Sequence, residues 1–181
     1  MPERRTSFVK LNINNKYYGL YTLLEEYDKE WLDRVFGEKK GNLYKCTYPA
    51  DLKYIDDQQS TYKKLYNTTT TGGRVYDLKT NETEDDYSDL VRFIRIANMP
   101  VNQSFIDSIY TVLDVNGLLK AYAMDVSFGN WDDFFYNKNN FFLYHGADDR
   151  FKFITYDTDN SAGIDFLNKD WATRNCLSWY N

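Results

Sequence analysis

Two short acidic segments in the second half of the chain hold the residues whose types could do chemistry. Asp132 and Asp133 follow a tryptophan in the segment "NWDD", and Asp157 and Asp159 lie in the segment "YDTD". Between them, two apolar stretches with strand composition flank the polar segment "GADDR". We predict that these stretches pair as an antiparallel hairpin, in which the start of one strand lies near the end of the other. The two acidic segments would then meet at the same end of one hairpin.

Asparagines accompany these aspartates, since Asn137, Asn139 and Asn140 precede the first strand. Carboxylates that lie close together repel, which raises the pKa of one of them unless a cation lies between them. Carboxylate and amide oxygens suit a hard cation, Mg²⁺ or Mn²⁺. A further carboxylate that binds no metal could orient a hydroxyl nucleophile, as in a phosphoryl-transfer site. Such a site also uses a lysine on a strand and a glutamate that holds it, and Lys45 and Glu25 are available.

Other interpretations of the same residues stay open at this point. Aspartate and asparagine are common turn residues, so two solvated turns would give the same pattern. The segment "DTDNSAGIDF" does not fit a calcium loop, because no glutamate closes it. His145 is the only histidine in the chain and is expected at the surface of a hairpin turn. A glycosidase could also use paired carboxylates, but these polar loops offer no apolar pocket to keep one of them protonated.

Composition excludes several classes of protein. The chain has 181 residues and a net charge of −5, without a basic block, so we expect no nucleic-acid partner. No stretch is long and apolar enough to predict a transmembrane segment. Cys46 and Cys176 form no zinc-binding pattern, and the sequence leaves open whether they form a disulfide. It also leaves the oligomeric state open.

The elements that must position the site begin with a strand-rich part, residues 1–50. A hairpin is predicted with strands over residues 8–13 and 17–24, joined by an asparagine turn. Asp28 is the predicted cap of a short helix that ends at Gly37, and the strand "NLYKCTY" follows. Glu25 and Lys45 both lie in this part.

The rest of the chain is predicted to be a polar, irregular connection over residues 51–83 and a mainly helical part over residues 84–181. Three helices are predicted over residues 85–98, 104–113 and 114–128, followed by the hairpin. Ser104 and Asp114 are the predicted caps of the second and third helices. We therefore predict an α+β fold within a single domain.

Three ordered motifs resemble the CotH kinase family, the spore coat protein H group. The first is "YYGLYTLLEEYDKEWLDRVFGEKKGNLYK", the second is "NWDD" running into "NNFFLY", and the third is "FKFITYDTDNSAG". Two further segments, "YDLKTNETEDDYSDLVRFIRIAN" and "LDVNGLLKAYAMDVSFGN", are similar to the helical middle of that family. The resemblance covers nearly the whole chain. It also leads us to expect that the domain is incomplete at one or both ends.

The resemblance implies a reduced, atypical protein-kinase-like fold with a small strand-rich lobe and a helical lobe. It implies ATP and Mg²⁺ or Mn²⁺ as cofactors, a coat or surface protein as substrate, and an extracellular, cell-surface or spore-coat location. The implied roles are phosphate binding by Lys45, pairing with that lysine by Glu25, catalysis by Asp132, and metal binding by Asn140 and Asp157, with Asp159 nearby. The catalytic aspartate could shift by one position to Asp133. Asn137 has the spacing of ordinary protein kinases, but "NNFFLY" favours Asn140.

A second hypothesis is a non-catalytic surface or adhesion module that binds a protein or glycan through its tyrosines. Such a module need not keep the lysine, the glutamate, the two aspartates and the asparagine together. Their joint presence in this chain therefore favours the enzyme.

Overall fold

A computed structural model of the chain describes residues 3–69, 72–164 and 170–175. The described residues up to Lys40 form one compact unit, and those from Gly41 onward form a second. Together they contain two antiparallel sheets and five α-helices, in agreement with the predicted mixture of strands and helices. The elements, in chain order, are β1 Thr6–Ile13, β2 Lys16–Leu24, α1 Lys29–Phe36, β3 Asn42–Cys46, α2 Gln59–Lys63, β4 Tyr76–Leu78, α3 Ser88–Ala97, α4 Gln103–Val112, α5 Val115–Phe128, β5 Phe141–His145 and β6 Phe151–Thr155.

The first unit is the predicted hairpin and helix. Strands β1 and β2 pair antiparallel around Asn14 and Asn15, which both adopt positive φ as a tight turn requires. Helix α1 begins where the Asp28 carboxylate accepts the backbone N–H of Trp31 at 2.9 Å. It ends at Gly37, whose φ of 72° lies in the left-handed region that glycine enters without strain.

The second unit is built on a four-stranded antiparallel sheet with the order β4-β3-β5-β6. Strand β3, predicted in the first part of the chain, pairs with β5 in register from Asn42↔His145 to Cys46↔Phe141. Strands β5 and β6 form the second predicted hairpin, from Phe141↔Thr155 to His145↔Phe151. The β5–β6 hairpin and β3 together position the candidate site.

One hydrophobic core joins this sheet to the helices. Helix α3 buries its apolar face, including Leu90 and Ile94, against a set of strand residues that includes Leu143 and Phe153. Asp114, the residue before α5, donates its backbone N–H to the carbonyl of Phe151 at 2.9 Å. This hydrogen bond attaches the start of the helix to β6. The start of α5 is therefore fixed to the start of β6, and the helix leads into the polar loop at its other end, after Phe128.

The structure corrects two expectations about the fold. The connection over residues 51–83 is not wholly irregular, since it holds α2 and β4, and β4 pairs with β3. These elements are only five and three residues long, too short to show a periodicity. Helix α4 is capped by Asn102, whose side chain accepts from Phe105 N at 3.1 Å, and not by Ser104.

Cys46 is a free, buried thiol on β3. Burial raises the pKa of this thiol, so it behaves as a small core residue. The other cysteine, Cys176, lies outside the described residues.

Candidate active site

A cleft of about 650 Å³ opens at the end of the β5–β6 hairpin that carries both acidic segments. The backbone N–H of Tyr156 donates to the carbonyl of Asn140 at 3.1 Å, so the residues that flank the two strands lie side by side. This agrees with the prediction that both acidic segments meet at one end of the hairpin. The residues that line the cleft are Lys45, Thr47, Tyr48, Asn67, Thr69, Trp131, Asp132, Asn137, Asn139, Asn140, Tyr156 and Asp157.

Asp132 receives hydrogen bonds from four asparagine side chains. Asn139 Nδ2 lies 3.1 Å from Asp132 Oδ1, and Asn140 Nδ2 lies 3.0 Å from Asp132 Oδ2. Asn137 also donates to Oδ1, and Asn160 donates to Oδ2 at 3.1 Å. An ionised carboxylate only accepts hydrogen bonds, so these four amides fix its orientation through charge-assisted contacts.

The neighbouring aspartate has a different environment. Asp133 is 1% exposed, and its carboxylate accepts the backbone N–H of Tyr136 at 2.8 Å. Its backbone carbonyl also accepts from Asn139 N at 3.0 Å. Asp133 thus stabilises the turn of the loop, while Asp132 faces the cleft. This geometry favours Asp132 in the open choice between the two positions.

Asn140 directly precedes β5, and Asp157 follows the end of β6 by two residues, so both lie at the same end of the hairpin. Both have a φ of 53°, the left-handed conformation that asparagine and aspartate tolerate better than most residues. Both line the cleft, whereas Asp159 does not belong to its described lining. Asn137 and Asn140 both contact Asp132, so these contacts alone do not separate the two asparagines.

Lys45 lies on β3, opposite Phe142 of β5. Its ammonium group lies 4.9 Å from the centroid of the Tyr156 ring, a cation–π contact that places the charge beside the strand end. Lys45 is the lysine of the cleft lining, which also holds the carboxylates of Asp132 and Asp157. The cleft therefore combines one cation with two anions and several amides.

Glu25 belongs to the first unit, and its contacts there are local. Its carboxylate accepts from Arg34 Nε at 3.0 Å and from the backbone N–H of Arg5 at 2.9 Å. These hydrogen bonds, that of Arg34 first, lower the pKa of Glu25. Its predicted pairing with Lys45 stays a prediction.

Several residues in or beside the cleft were not singled out from the sequence. Asn160 follows the acidic segment directly, and its place after "DTD" is the one signal that could have found it. Tyr48 reaches the site through its backbone N–H, which donates to Asn139 Oδ1 at 2.9 Å. Asn67 and Thr69 lie in the polar connection, and no signal distinguishes them there, because asparagine and threonine are ordinary loop residues.

His145 lies outside the cleft, at the far end of β5. It is the last residue of the strand and is partly buried, not a surface residue of the turn. Its Nδ1 lies 3.0 Å from Asp89 Oδ2, and its Nε2 lies 3.1 Å from Asp149 Oδ1. Burial lowers the pKa of His145, but the two carboxylates outweigh burial and raise it above its ordinary value.

The donors of the cleft fit a hard divalent cation. The carboxylate of Asp157 and the amide oxygens of the asparagines are the ligand types that Mg²⁺ and Mn²⁺ take. Among the residues that the structure describes, no three histidine, cysteine, aspartate or glutamate side chains cluster as a metal site. A cation here would therefore complete its shell with water and phosphate oxygens, as Mg²⁺ commonly does.

Comparison with known proteins identifies the family. The model of the family described as CotH kinase protein matches residues 1–175, and the chain belongs to that family. A search of curated proteins finds no match to the chain. No helix within the described residues is long and apolar enough to cross a membrane.

Proposed function

We propose that the chain is a metal-dependent ATP:protein phosphotransferase, an atypical protein kinase. The single observation that carries this proposal is the cleft at the end of the β5–β6 hairpin, which is lined by Lys45, Asp132, Asn140 and Asp157. Membership of the CotH kinase family supports the reaction class. The same proposal includes a reduced kinase-like fold, with residues 1–50 as the small lobe and residues 84–181 as the helical lobe.

In this proposal Asp132 orients the acceptor hydroxyl. Four amide donors hold its carboxylate in one geometry, so the hydroxyl of a Ser, Thr or Tyr side chain can be aligned for in-line attack on the γ-phosphorus. The hydroxyl loses its proton toward the carboxylate as the new P–O bond forms, and ADP leaves with the electrons of the broken bond. Proximity and orientation are the main contributions of a carboxylate in this position.

Lys45 would bind phosphate oxygens from the other side of the cleft. Its ammonium group already lies beside the strand end that carries Asp157. Asn140 and Asp157 would hold the cation, with Asp159 close by in the same loop. When bound, Mg²⁺ or Mn²⁺ supplies positive charge that offsets the phosphate charge in an acidic protein.

Glu25 has the role of partner to Lys45 in the same proposal. Replacing it with glutamine would then weaken nucleotide binding about as much as replacing Lys45. Arg34→Gln is the matched control, because it removes the partner that Glu25 has within its own unit. Equal loss of binding in both variants, together with a lower melting temperature, would instead assign Glu25 to the stability of the hairpin and helix.

The proposed substrate is a coat or surface protein, and the proposed location is extracellular, at the cell surface or in a spore coat. Both follow from the resemblance to the family. The proposal is tested by transfer of labelled phosphate from ATP to a library of Ser, Thr and Tyr peptides with Mg²⁺ or Mn²⁺. We expect Asp132→Asn to lower transfer at least 100-fold and Asp148→Asn, an exposed acid at the hairpin turn, to leave it unchanged. Equal transfer by Asp132→Asn and the unmodified chain would contradict the proposal.

A second candidate is a non-catalytic binding module. The observation that favours it is the number of exposed aromatic side chains on the β1–β2 hairpin, where Phe8 is 76% and Tyr17 is 58% exposed. Tyr18 and Tyr21 are also about half exposed on β2. On a glycan or peptide array, this candidate predicts binding by the unmodified chain. The double variant Phe8→Ser, Tyr21→Ser should lose that binding, and Asp132→Asn should keep it. Phosphate transfer that depends on Asp132 would exclude this candidate as the sole function.

A further inference from the structure

Asp125 is a buried carboxyl group one turn before the end of α5. It is 1% exposed, and its Oδ1 accepts a hydrogen bond from Asn130 Nδ2 at 3.0 Å. The backbone carbonyl of Asp125 also accepts the backbone N–H of Asn130 at 2.9 Å. Asp125 therefore holds both the main chain and the side chain of Asn130.

Asn130 begins the loop that carries Asp132. The helix ends at Gly129 in the left-handed conformation, and Asn130 is fully buried directly after it. The next residue, Trp131, stacks on Trp171 with ring centroids 6.0 Å apart and donates its indole N–H to the Ile164 carbonyl at 2.9 Å. The main chain leading to Asp132 is thus anchored at Asn130 by Asp125 and at Trp131 by an aromatic contact.

The chemistry of Asp125 distinguishes it from an ordinary structural acceptor. No donor among the described residues reaches its second oxygen, Oδ2, which is buried. Burial raises the pKa of Asp125 to about 7, and the hydrogen bond from Asn130 opposes this only in part. Asp133 is the charged group that faces Asp125, and its negative charge is a smaller cause of the same rise in pKa. A buried anion beside a second buried carboxylate is unfavourable, so the neutral acid is the form that suits this packing.

We propose that Asp125 is a positioning residue, which holds the Asp132 loop as a neutral carboxylic acid and loosens that loop when it ionises. A buried carboxyl with a perturbed pKa is a mark of functional sites. Asp125 does not belong to the described lining of the cleft, and its link to the cleft is the hydrogen bond with Asn130, two residues before Asp132. Only the effect on phosphate transfer rests on the proposed function. The link between Asp125 and the loop is a property of the folded chain.

The test measures amide hydrogen exchange of the segment from residue 130 to residue 140 between pH 5.5 and 8.5, expressed as protection factors. We expect protection in the unmodified chain to fall at least tenfold with a midpoint near pH 7. In Asp125→Asn, which keeps an acceptor oxygen and carries no charge, protection should stay constant. His145 also titrates near this pH range, so His145→Asn is the control. In this variant the decline in protection should keep the midpoint of the unmodified chain.

A pH-independent protection in the unmodified chain, or the same decline in Asp125→Asn, would overturn the proposal. A variant that fails to fold does not weaken the test, because the Asp125 carboxyl can be titrated by carbon-13 NMR in the unmodified chain. A midpoint below pH 5 in that titration would also overturn it.

Phosphate transfer separates this proposal from the proposed function. Transfer that falls above pH 7 in the unmodified chain, and does not fall in Asp125→Asn, supports both. Loop exchange as expected in a chain with no transfer supports the positioning role and contradicts the kinase. Transfer with pH-independent loop exchange contradicts the positioning role alone.

Discussion

Asn160 Nδ2 lies 3.1 Å from Asp132 Oδ2, although the two residues are 28 positions apart in the chain. The β5–β6 hairpin brings them together, because it returns the chain to the end at which it started. Three more asparagines reach the same carboxylate from within its own loop. Asn160 thus ties the loop after β6 to the proposed catalytic aspartate.

Replacing Asn160 with leucine removes this donor and keeps the number and branching of the side-chain heavy atoms. We expect phosphate transfer to fall about tenfold, since a hydrogen bond to a charged acceptor contributes about 1.5 kcal/mol. The Michaelis constant for ATP should change little, because Asn160 does not belong to the described lining of the cleft. Steady-state kinetics measure both values. Asn116→Leu, at an exposed position on α5, is the control. A change in the Michaelis constant alone would assign Asn160 to nucleotide binding instead.

Lys45→Met keeps much of the aliphatic stem and removes the ammonium charge. We expect nucleotide affinity to fall about tenfold, because a charge-assisted contact with phosphate contributes about 1.5 kcal/mol in a partly buried site. Fluorescence titration with a labelled ATP analogue measures the dissociation constant. Lys152→Met is the matched control, since Lys152 is a partly buried lysine of β6 that contacts Asp148. Unchanged affinity in Lys45→Met would remove the lysine from the proposed site.

The raised pKa of His145 leads us to predict that the stability of the second unit depends on pH. Its raised pKa means that the folded state binds the proton more tightly than the unfolded state does. The stabilisation is fully present below the unfolded value of 6.5 and is lost as the pH rises through the higher folded value. Denaturant unfolding should therefore show that His145→Asn destabilises the chain at pH 5.5, on the order of 1 kcal/mol, and less at pH 9.

The control for this prediction is Asp149→Asn, which removes one of the two carboxylates beside the ring. It should shrink the pH-dependent difference without abolishing it, because Asp89 stays in place. An equal effect of His145→Asn at both pH values would show that the ring acts by packing on Phe151 and not by its charge.

Local signals in the sequence predicted much of the fold. The asparagine turn of the first hairpin, the Asp28 cap and the glycine at the end of α1 each depend on backbone conformations that few residue types favour. The apolar periodicity of the helices similarly reflects which face is buried. Elements that depend on tertiary pairing, such as the three-residue strand β4, leave no such signal and were missed.

The site divides in the same way. The hairpin made it predictable that Asp132 and Asp157 lie at one end, because pairing of adjacent strands follows from the turn between them. The sequence could not show which of Asp132 and Asp133 faces the cleft, because the two differ in burial. Burial depends on how the loop packs in the folded chain. The role of Asn130 and the environment of Asp125 depend on that packing too.

The central claim is tested most directly by calorimetry of ATP binding in the presence of Mg²⁺ or Mn²⁺. The unmodified chain, Asp157→Ala and Asp159→Ala are compared, with folding of each chain checked by circular dichroism. We predict metal-dependent binding that is lost in Asp157→Ala and largely kept in Asp159→Ala, because Asp157 lines the cleft and Asp159 does not belong to its described lining. No binding to the folded, unmodified chain with either metal would contradict the proposed kinase.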